Sequence, residues 1–332
     1  MKNNILFTNA GRRATLLKNF KHSLKNDCQI IATDNWSVAP ALFCADKYYI
    51  TPKITEETYI NKILEICKKE RINAITTLID PEIMLLAKNR ELFIQNGILP
   101  LCPSFETANI CFNKYEMFKF LRKNDIPTVL TYDNIEKFRI GLNNNEIKFP
   151  VFIKPINGSG SVGAQKVLNL EELECLINEN KFNYIIQEYM DCEDFDADVY
   201  VDTISHKVVS IFSKRKIETR IGGASKTISF KDNNLFDFIQ TIISKFEFNG
   251  PIDMDFFYKN GNYYLSEINP RFGGAYLHAY GAGVDFPKYI ANNINGIENK
   301  SEIGNYDENI LMLMYDDVII TKLENLKGDY ND

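Results

Sequence analysis

The residue run Glu267-Ile268-Asn269-Pro270-Arg271 combines side chains of the kinds that phosphoryl transfer requires. Glu267 and Asn269 are two residues apart, so on a β-strand both side chains point to the same face. Carboxylate and amide oxygens are ligands for hard cations such as Mg²⁺, and the guanidinium group of Arg271 can neutralise anionic oxygens in a transition state. We therefore interpret this run as a metal- and phosphate-binding segment rather than as a polar, solvent-facing hairpin.

A further carboxylate is expected from the preceding strand, because the sequence predicts a hairpin that turns at Asn260-Gly261. An odd-length loop or a bulge near this turn would place Asp253, Asp255 and Glu267 on one face of the hairpin. A plain two-residue turn would place Asp255 on the other face. The spacing also predicts that Leu265 lies on the same face as Glu267.

A glycine- and serine-rich loop, residues 157–163, follows a strand-like run that ends at Lys154-Pro155. The loop contains the pattern GxGxxG, but a β-like run follows it instead of a helix, which excludes a dinucleotide-binding turn. Backbone N–H groups of such a loop can approach phosphate oxygens closely because glycine has no Cβ. Lys154 lies among apolar residues, where a charge is costly unless it meets an anion. We favour phosphate binding over a flexible turn and a solvated lysine.

Together, these motifs resemble those of the ATP-grasp superfamily, in the branch similar to the large subunit of carbamoyl-phosphate synthase and to biotin carboxylase. The resemblance covers roughly residues 1 to 295, and the order and spacing of the motifs make it specific. The matching stretches are Phe112 to Glu116, Lys154 with its glycine loop, Ile186 to Met190, Glu193 to Asp198, and Glu267 to Gly274.

The resemblance implies how ATP would bind. Two lysines would contact the phosphates, the glycine loop would close over the β- and γ-phosphates, and Gln187 with the backbone of Glu188 and Met190 would form the adenine hinge. Asp194 would hold the ribose, although the superfamily usually has Glu at this position. The implied ATP-binding residues are Lys114, Lys154, Gly158, Ser159, Gly160, Ser161, Val162, Gly163, Gln187, Glu188, Met190 and Asp194.

The resemblance also implies the metal and catalytic groups. Asp255, Glu267 and Asn269 would bind two Mg²⁺ ions, for which Mn²⁺ can substitute, and Asp253 is the alternative first ligand. Arg271, together with Lys154, would stabilise the transferring phosphoryl group.

Three basic side chains lie close to these motifs in sequence. Arg215 and Arg220 occupy positions where related chains present basic residues to substrate or phosphate, and a surface charge run is nearly as consistent with the pattern. Close relatives often have an acidic residue soon after this arginine, where this chain has Gly222-Gly223-Ala224. His278 is expected to be a helix histidine near the core rather than a contact to the acceptor.

The activity that the resemblance implies is ADP-forming ligation. A carboxylate attacks the γ-phosphate of ATP to give an acyl phosphate, and an amine, or less often a thiol, displaces the phosphate. One such unit and a short C-terminal portion disfavour complete carbamoyl-phosphate synthase or biotin carboxylase activity. The alternatives are an ATP-binding regulatory protein and a carboxylate-phosphorylating partner subunit of a larger carbamoyl-phosphate-synthase-like system. Related proteins are often homodimers, although the sequence shows no interface.

The elements that must position these residues follow from hydrophobic periodicity. In the first hundred residues strand-like and helical runs alternate, which predicts a parallel sheet covered by helices. Ligands bind such sheets at the carboxyl ends of the strands, where Asn9, Asp34 and Asp80 stand. The Asp80-Pro81-Glu82 acids could attract an amine or could cap the following helix. The predicted helices here are Arg13 to Leu24, Glu57 to Glu70 and Glu82 to Asn96.

We therefore expect an α/β protein in which a Rossmann-like parallel-sheet domain precedes a two-lobed ATP-grasp fold. The turn after the first strand contains a single glycine, Gly11, where a dinucleotide site would need GxGxxG, so the sequence disfavours such a site in that domain. The expected units are a Rossmann-like domain at 1–110, an ATP-grasp lid at 111–190, a catalytic subdomain at 191–300 and a C-terminal extension at 301–332.

The amino-acid composition further narrows the possible classes of protein. The chain has 332 residues, a net charge of −6, seven cysteines and three histidines. The charge argues against a broad nucleic-acid footprint, and the cysteines form no CxxC pair, which disfavours a zinc site or a disulfide framework. The apolar runs are too short to span a membrane. We expect a cytoplasmic enzyme that acts on small-molecule carboxylate and amine substrates.

Overall fold

The computed structural model describes residues 3–158, 160, 162–179, 181–220 and 223–328. These residues form three sheets covered by helices, in chain order a five-stranded, a four-stranded and a six-stranded sheet. The mixed α/β architecture expected from the sequence is confirmed. No helix of the described residues is both long and apolar enough to cross a membrane.

The first sheet is parallel, with strand order β3-β2-β1-β4-β5. Its central strands are almost wholly buried, as expected when helices cover both faces of a parallel sheet. Its strands are β1 Asn3–Thr8, β2 Cys28–Asp34, β3 Lys47–Ile50, β4 Ala74–Thr77 and β5 Leu99–Pro100. Its helices are α1 Ala14–Leu24, α2 Tyr59–Glu70, α3 Asp80–Lys88, α4 Arg90–Gln95 and α5 Phe105–Phe112.

The continuous helix expected from Glu82 to Asn96 is wrong, because α3 and α4 are separated at Asn89. The side-chain amide of Asn89 donates to the carbonyl of Leu85 at 2.8 Å. Asparagine competes in this way with the regular helical hydrogen bonds and ends the helix. The helix also begins earlier than expected, at Asp80, so this carboxylate stands at a helix N-terminus.

The second sheet is antiparallel, with strand order β6-β9-β7-β8. It confirms that the glycine loop joins two antiparallel strands. Its strands are β6 Thr131–Tyr132, β7 Val151–Pro155, β8 Gln165–Val167 and β9 Tyr184–Glu188. The helices of this part are α6 Lys114–Lys123, α7 Ile135–Asn143 and α8 Leu170–Asn178, and an asparagine side chain caps each N-terminus.

The third sheet is antiparallel, with strand order β14-β13-β10-β11-β12-β15. Its strands are β10 Glu193–Val201, β11 Val208–Arg220, β12 Gly223–Phe230, β13 Gly250–Lys259, β14 Asn262–Asn269 and β15 Leu311–Leu313. The helices that accompany it are α9 Asn233–Ile243, α10 Tyr276–Gly281 and α11 Phe286–Ile294.

One continuous apolar core joins the first and third sheets. Phe20 of α1 packs edge-on against Phe272, with 5.6 Å between the ring centroids, and Phe272 packs against Tyr276 of α10. The segment that follows Asn269 is therefore clamped between the two domains. This packing brings Arg271 to the carboxyl ends of the strands of the first sheet.

Candidate active site

The hairpin β13–β14 carries the acidic half of the site. Asp255 is paired with Glu267, and Asp253 with Asn269, so these four side chains lie on one face. The turn at Asn260-Gly261 is a two-residue turn, yet a bulge changes the register between the pairs Asp255–Glu267 and Phe256–Leu265. The expectation that Leu265 shares a face with Glu267 is wrong, because the extra residue sends Leu265 into the core beside Phe256.

Lys114 connects this hairpin with the glycine loop. It is the first residue of α6, which Asn113 caps. The ammonium group of Lys114 donates to the carbonyl of Gly158 at 2.6 Å and lies 3.1 Å from Oε1 of Glu267. The structure thus brings together three residues for which the sequence predicted related roles.

Lys154 reaches the same place from β7. Its neighbour Ile153 is fully buried in the core of the second sheet, so Lys154 points to the opposite face. Burial lowers the pKa of Lys154, although the charges of Glu267 and Asp255 oppose this effect and that of Lys114 adds to it. Two lysines therefore lie beside the carboxylates of the hairpin.

The described residues of the glycine loop suit close contact with a ligand. Gly158, Gly160 and Gly163 all have a positive φ, of 108°, 72° and 73°, which glycine alone adopts readily. A Cβ on Gly163 would lie 2.7 Å from the ring of Phe182, and Val162 is exposed. Ser159 and Ser161, which the resemblance also implicates, lie outside the described residues.

The expected adenine hinge spans the end of β9, which contains Gln187 and Glu188 and precedes Met190. The amide of Gln187 is buried and donates to Oγ1 of Thr131 at 2.7 Å, and the backbone N–H of Glu188 donates to Leu130. Met190 is buried. The side chain of Gln187 therefore stabilises the lobe itself, and its contact with adenine remains a prediction.

Lys216 links the expected ribose and metal positions. Its ammonium group lies 2.9 Å from Oδ1 of Asp194 and also contacts Asp255. Burial raises the pKa of Asp194, and Lys216 opposes this effect. Burial also opposes the charge of Lys216, but Asp255 and Asp194 outweigh it and raise the pKa of this lysine. The sequence reasoning missed Lys216.

Another lysine, Lys214, lies deeper in the third sheet. Lys214 is fully buried, lies 2.8 Å from Asp196 and contacts Asp198. These two carboxylates and Asp253 form a tight acidic cluster, and burial raises the pKa of Asp198 to about 6. The alternation of charged residues along β10 and β11 is the sequence signal that could have revealed this cluster, because residues two apart share a face.

Arg271 lies between the domains, where its guanidinium group makes a double contact with Asp80. The distances are 2.8 Å from Nε to Oδ1 and 3.1 Å from Nη2 to Oδ2, and Nη1 lies 3.3 Å from Asp253. Burial opposes the charge of Arg271, but Asp80 and Asp253 outweigh it and raise the pKa of the guanidinium group. Asp80 thus binds a residue of the site.

The remaining predicted residues lie elsewhere. Arg215 is exposed on the face of β11 opposite Lys214 and Lys216, where it pairs with Glu193 at 3.4 Å, and Arg220 is exposed beside Asp316. His278 is buried and hydrogen-bonded to Thr227, as expected for a core histidine. Glu82 is fully buried and accepts hydrogen bonds from Asn9, Tyr59 and Thr77, so it stabilises the first domain from within.

The donor set of the hairpin fits a hard divalent cation. Asp255 and Glu267 supply carboxylate oxygens and Asn269 supplies an amide oxygen, and the three side chains lie on one face of the hairpin. Lys216 and Lys114 contact the two carboxylates, which shows that this face attracts positive charge. Asp255 is partly exposed whereas Asp253 is buried, so Asp255 is the more accessible of the two alternative ligands.

The fold and the site define a class of protein, namely proteins in which two antiparallel lobes bring lysines and a glycine loop against an acidic hairpin. Comparison with known protein families identifies this class. Residues 111–275 match the ATP-grasp domain, and residues 5–101 match the PylC-like, N-terminal domain. The chain is therefore an ATP-grasp protein with a PylC-like N-terminal domain, and the expected superfamily is confirmed.

Individual relatives are distant. Over 260 residues the chain is 22% identical to the carbamoyl phosphate synthase arginine-specific large chain of Geobacillus stearothermophilus. The alignment covers 75% of this chain and 23% of the relative. The chain therefore spans about a quarter of the length of this relative.

Solved structures share the fold. The biotin carboxylase domain of 2-oxoglutarate carboxylase from Hydrogenobacter thermophilus, in complex with MgADP and bicarbonate, superposes with a TM-score of 0.74 at 20% identity, over 94% of this chain and 73% of that one. L-amino acid ligase from Bacillus licheniformis superposes with a TM-score of 0.67 at 17% identity, over 90% of this chain and 75% of that one.

Proposed function

We propose that this protein is an ATP-dependent, ADP-forming ligase that joins a small carboxylate to an amine or thiol through an acyl phosphate. The observation that carries the proposal is the convergence of Lys114, Lys154, Glu267 and the Gly158 loop at one point. These groups come from three separate parts of the chain. Phosphoryl transfer depends mainly on such positioning and charge neutralisation.

In this proposal, ATP lies between the second and third sheets. Lys114 and Lys154 bind the phosphates, and the loop at 158–163 closes over them. The segment from Gln187 to Met190 contacts adenine, and Asp194 binds the ribose after Lys216 leaves it. Closure of the lobes around the nucleotide would exclude water and protect an acyl phosphate from hydrolysis.

Asp255, Glu267 and Asn269 are the proposed ligands of two Mg²⁺ ions, which Mn²⁺ can replace. When bound, such ions neutralise charge on phosphate oxygens. Lys216 and Lys114 must then leave Asp255 and Glu267, and both lysines become available to anionic oxygens of the nucleotide. Arg271, held at the boundary between the domains, stabilises the transferring phosphoryl group.

The carboxylate and amine substrates are proposed to bind at the carboxyl ends of β1, β2 and β4, beside Arg271. Among the charged groups there, Asp34 already accepts the backbone N–H groups of Gly11 and Trp36 at 2.8 and 2.9 Å. Asp34 therefore shapes the loop rather than the ligand contacts.

The test is release of ADP from Mg²⁺·ATP with pooled amino acids and small carboxylates, each with and without amine acceptors. We expect ADP formation that requires one carboxylate and that Glu267→Ala abolishes. The matched control is Glu174→Ala, because Glu174 pairs with Arg139 on the surface of the second sheet's helices. Light scattering on the same protein tests the expected homodimer.

Other outcomes have definite meanings. Nucleotide binding without turnover for any pair would favour a regulatory protein. Acyl phosphate that accumulates without ligated product would indicate a partner subunit that phosphorylates a carboxylate. Absence of ATP binding would refute the proposal.

A further inference from the structure

The contact between Asp80 and Arg271 joins residues that are 191 positions apart in the chain. Asp80 is the first residue of α3 and lies three residues after the end of β4 in the first sheet, and Arg271 follows the hairpin of the third sheet. Both side chains are largely buried, with 13% and 12% of their surface exposed. The first domain thus supplies a group that holds a residue of the proposed phosphoryl-transfer site.

The hydrogen-bond donors of Arg271 show how completely it is held. A guanidinium group has five N–H donors. Nε and one Nη2 donor contact the carboxylate of Asp80, and Nη1 contacts both Asp253 at 3.3 Å and the carbonyl of Phe272 at 3.1 Å. A single Nη2 donor is left without an acceptor in the described part of the chain. The fork that would bind a carboxylate with two hydrogen bonds is already occupied.

The backbone beside Arg271 is held from the same domain. Arg13, which precedes α1, donates from Nη2 to the carbonyls of Phe272 and Gly273 at 3.2 and 2.6 Å. Burial and the nearby charge of Arg271 lower the pKa of Arg13 to about 10, so the group remains protonated at neutral pH. Side chain and backbone of the Arg271 segment are therefore both fixed by the first domain.

We propose that Asp80 is a positioning residue that fixes Arg271 so that one N–H group faces the transferring phosphoryl group. This inference rests on the proposed function. It makes Arg271 a single-donor contact to a phosphoryl oxygen rather than a clamp for the substrate carboxylate. The substrate carboxylate must then be bound by other groups.

Asp80→Asn tests the inference because it changes charge and not size. An amide presents one oxygen and one NH₂ group, so one of the two contacts with Arg271 becomes a meeting of two donors. The side chain of Arg271 is then expected to turn away. A misplacement of about 1 Å can cost about 100-fold in transition-state stabilisation.

The measurement is calorimetric binding of Mg²⁺·ADP, first alone and then with fluoroaluminate, which mimics a phosphoryl group in transfer. For Asp80→Asn we expect Mg²⁺·ADP affinity within about twofold of wild type, since the contact proposed for Arg271 is made with the transferring phosphoryl group, which ADP lacks. We expect the fluoroaluminate complex to weaken about 100-fold. Asp80→Glu, which keeps the carboxylate, should restore part of this affinity.

The control is Asp285→Asn, the same substitution at another contact between the domains. Asp285 accepts hydrogen bonds from Ser23 of α1 at 2.7 and 2.8 Å, and asparagine also caps helices well. Both affinities should remain those of wild type, and melting temperatures report whether each variant is folded.

Three results would overturn the inference. The first is a fluoroaluminate complex of normal affinity in Asp80→Asn. The second is an equal loss of affinity for Mg²⁺·ADP and for the fluoroaluminate complex. The third is a wild-type protein that binds Mg²⁺·ADP but gains no affinity from fluoroaluminate. A wild-type protein that binds no Mg²⁺·ADP would instead refute the proposed function.

Discussion

Replacement of Lys214 by methionine tests how the third sheet tolerates its buried charges. Lys214 is fully buried between Asp196 and Asp198, and Asp253 belongs to the same cluster. Methionine has a similar length and no charge, so Lys214→Met leaves three buried carboxylates without their central cation. Removal of one partner of a buried ion pair costs about 3–5 kcal/mol. We expect the free energy of unfolding to fall by that amount at pH 8.

The loss should be smaller in acid. In the folded protein burial raises the pKa of Asp198 to about 6, whereas an unfolded aspartate has a pKa of about 3.9. A carboxylate with a raised folded pKa disfavours folding above that pKa, and this penalty disappears as the pH falls toward 4. Without Lys214 the folded pKa rises further, so the deficit of the variant should be largest above pH 7 and reduced at pH 5.

The assay is urea unfolding of wild type and variant at pH 8 and pH 5, followed by circular dichroism. The matched control is Arg215→Met on the same strand, because Arg215 is exposed and its ion pair with Glu193, at 3.4 Å, is exposed as well. Its free energy of unfolding should change by less than about 0.5 kcal/mol. A loss below about 1 kcal/mol for Lys214→Met, against the 3–5 kcal/mol for a broken buried pair, would refute the reasoning. An equal loss at both pH values would refute it as well.

Three further predictions concern single residues. Lys154→Met should weaken ATP binding about 10- to 100-fold, the value of a hydrogen bond to a charged group, with an unchanged melting temperature; calorimetry with unchanged ATP affinity would contradict this. Gly273→Ala should destabilise the fold by about 1–3 kcal/mol, because a Cβ there lies 2.4 Å from Oδ1 of Asp253; urea unfolding measures the loss, and wild-type stability would show that the segment can move. Burial lowers the pKa of His278 in the folded protein to about 4, whereas the histidine of the unfolded chain has a pKa of about 6.5. The unfolded chain therefore binds the proton first, and the free energy of unfolding falls as the pH drops below about 6.5. His278→Gln should lose less stability than wild type between pH 7 and pH 5, and an equal decline would disprove this.

Local patterns were sufficient to predict much of the framework. Four residues of α1, Leu16, Leu17, Phe20 and Leu24, form the buried stripe that their helical spacing indicates. Tight-turn residues at Asn260-Gly261 correctly indicated a hairpin. These features depend on neighbours within a few positions, so the sequence contains their full signal.

The geometry of the site was less predictable because it depends on register and on distant contacts. The sequence alone leaves open whether Asp255 faces Glu267. A bulge at Ser266 brings them to one face, and no residue type in this stretch indicates a bulge. Asp80 could be interpreted as a helix cap or an amine contact, whereas its partner Arg271 is far away in sequence. Lys216 lies within a charged run of the sequence. The orientation of β11 in the sheet determines that Lys216, rather than Arg215, contacts the carboxylates of the site.

The bulge in β14 also determines which changes in chain length this hairpin can accept. Loss of Ser266 would make Glu267 the direct neighbour of Leu265, and uninterrupted alternation would still send these two side chains to opposite faces. The pairs Phe256–Leu265 and Asp255–Glu267 would both persist. One residue added to the turn would instead displace every partner and turn the carboxylates of one strand away from those of the other. Single-residue deletions in homologous hairpins are therefore expected at the bulge, while the length of the turn stays constant.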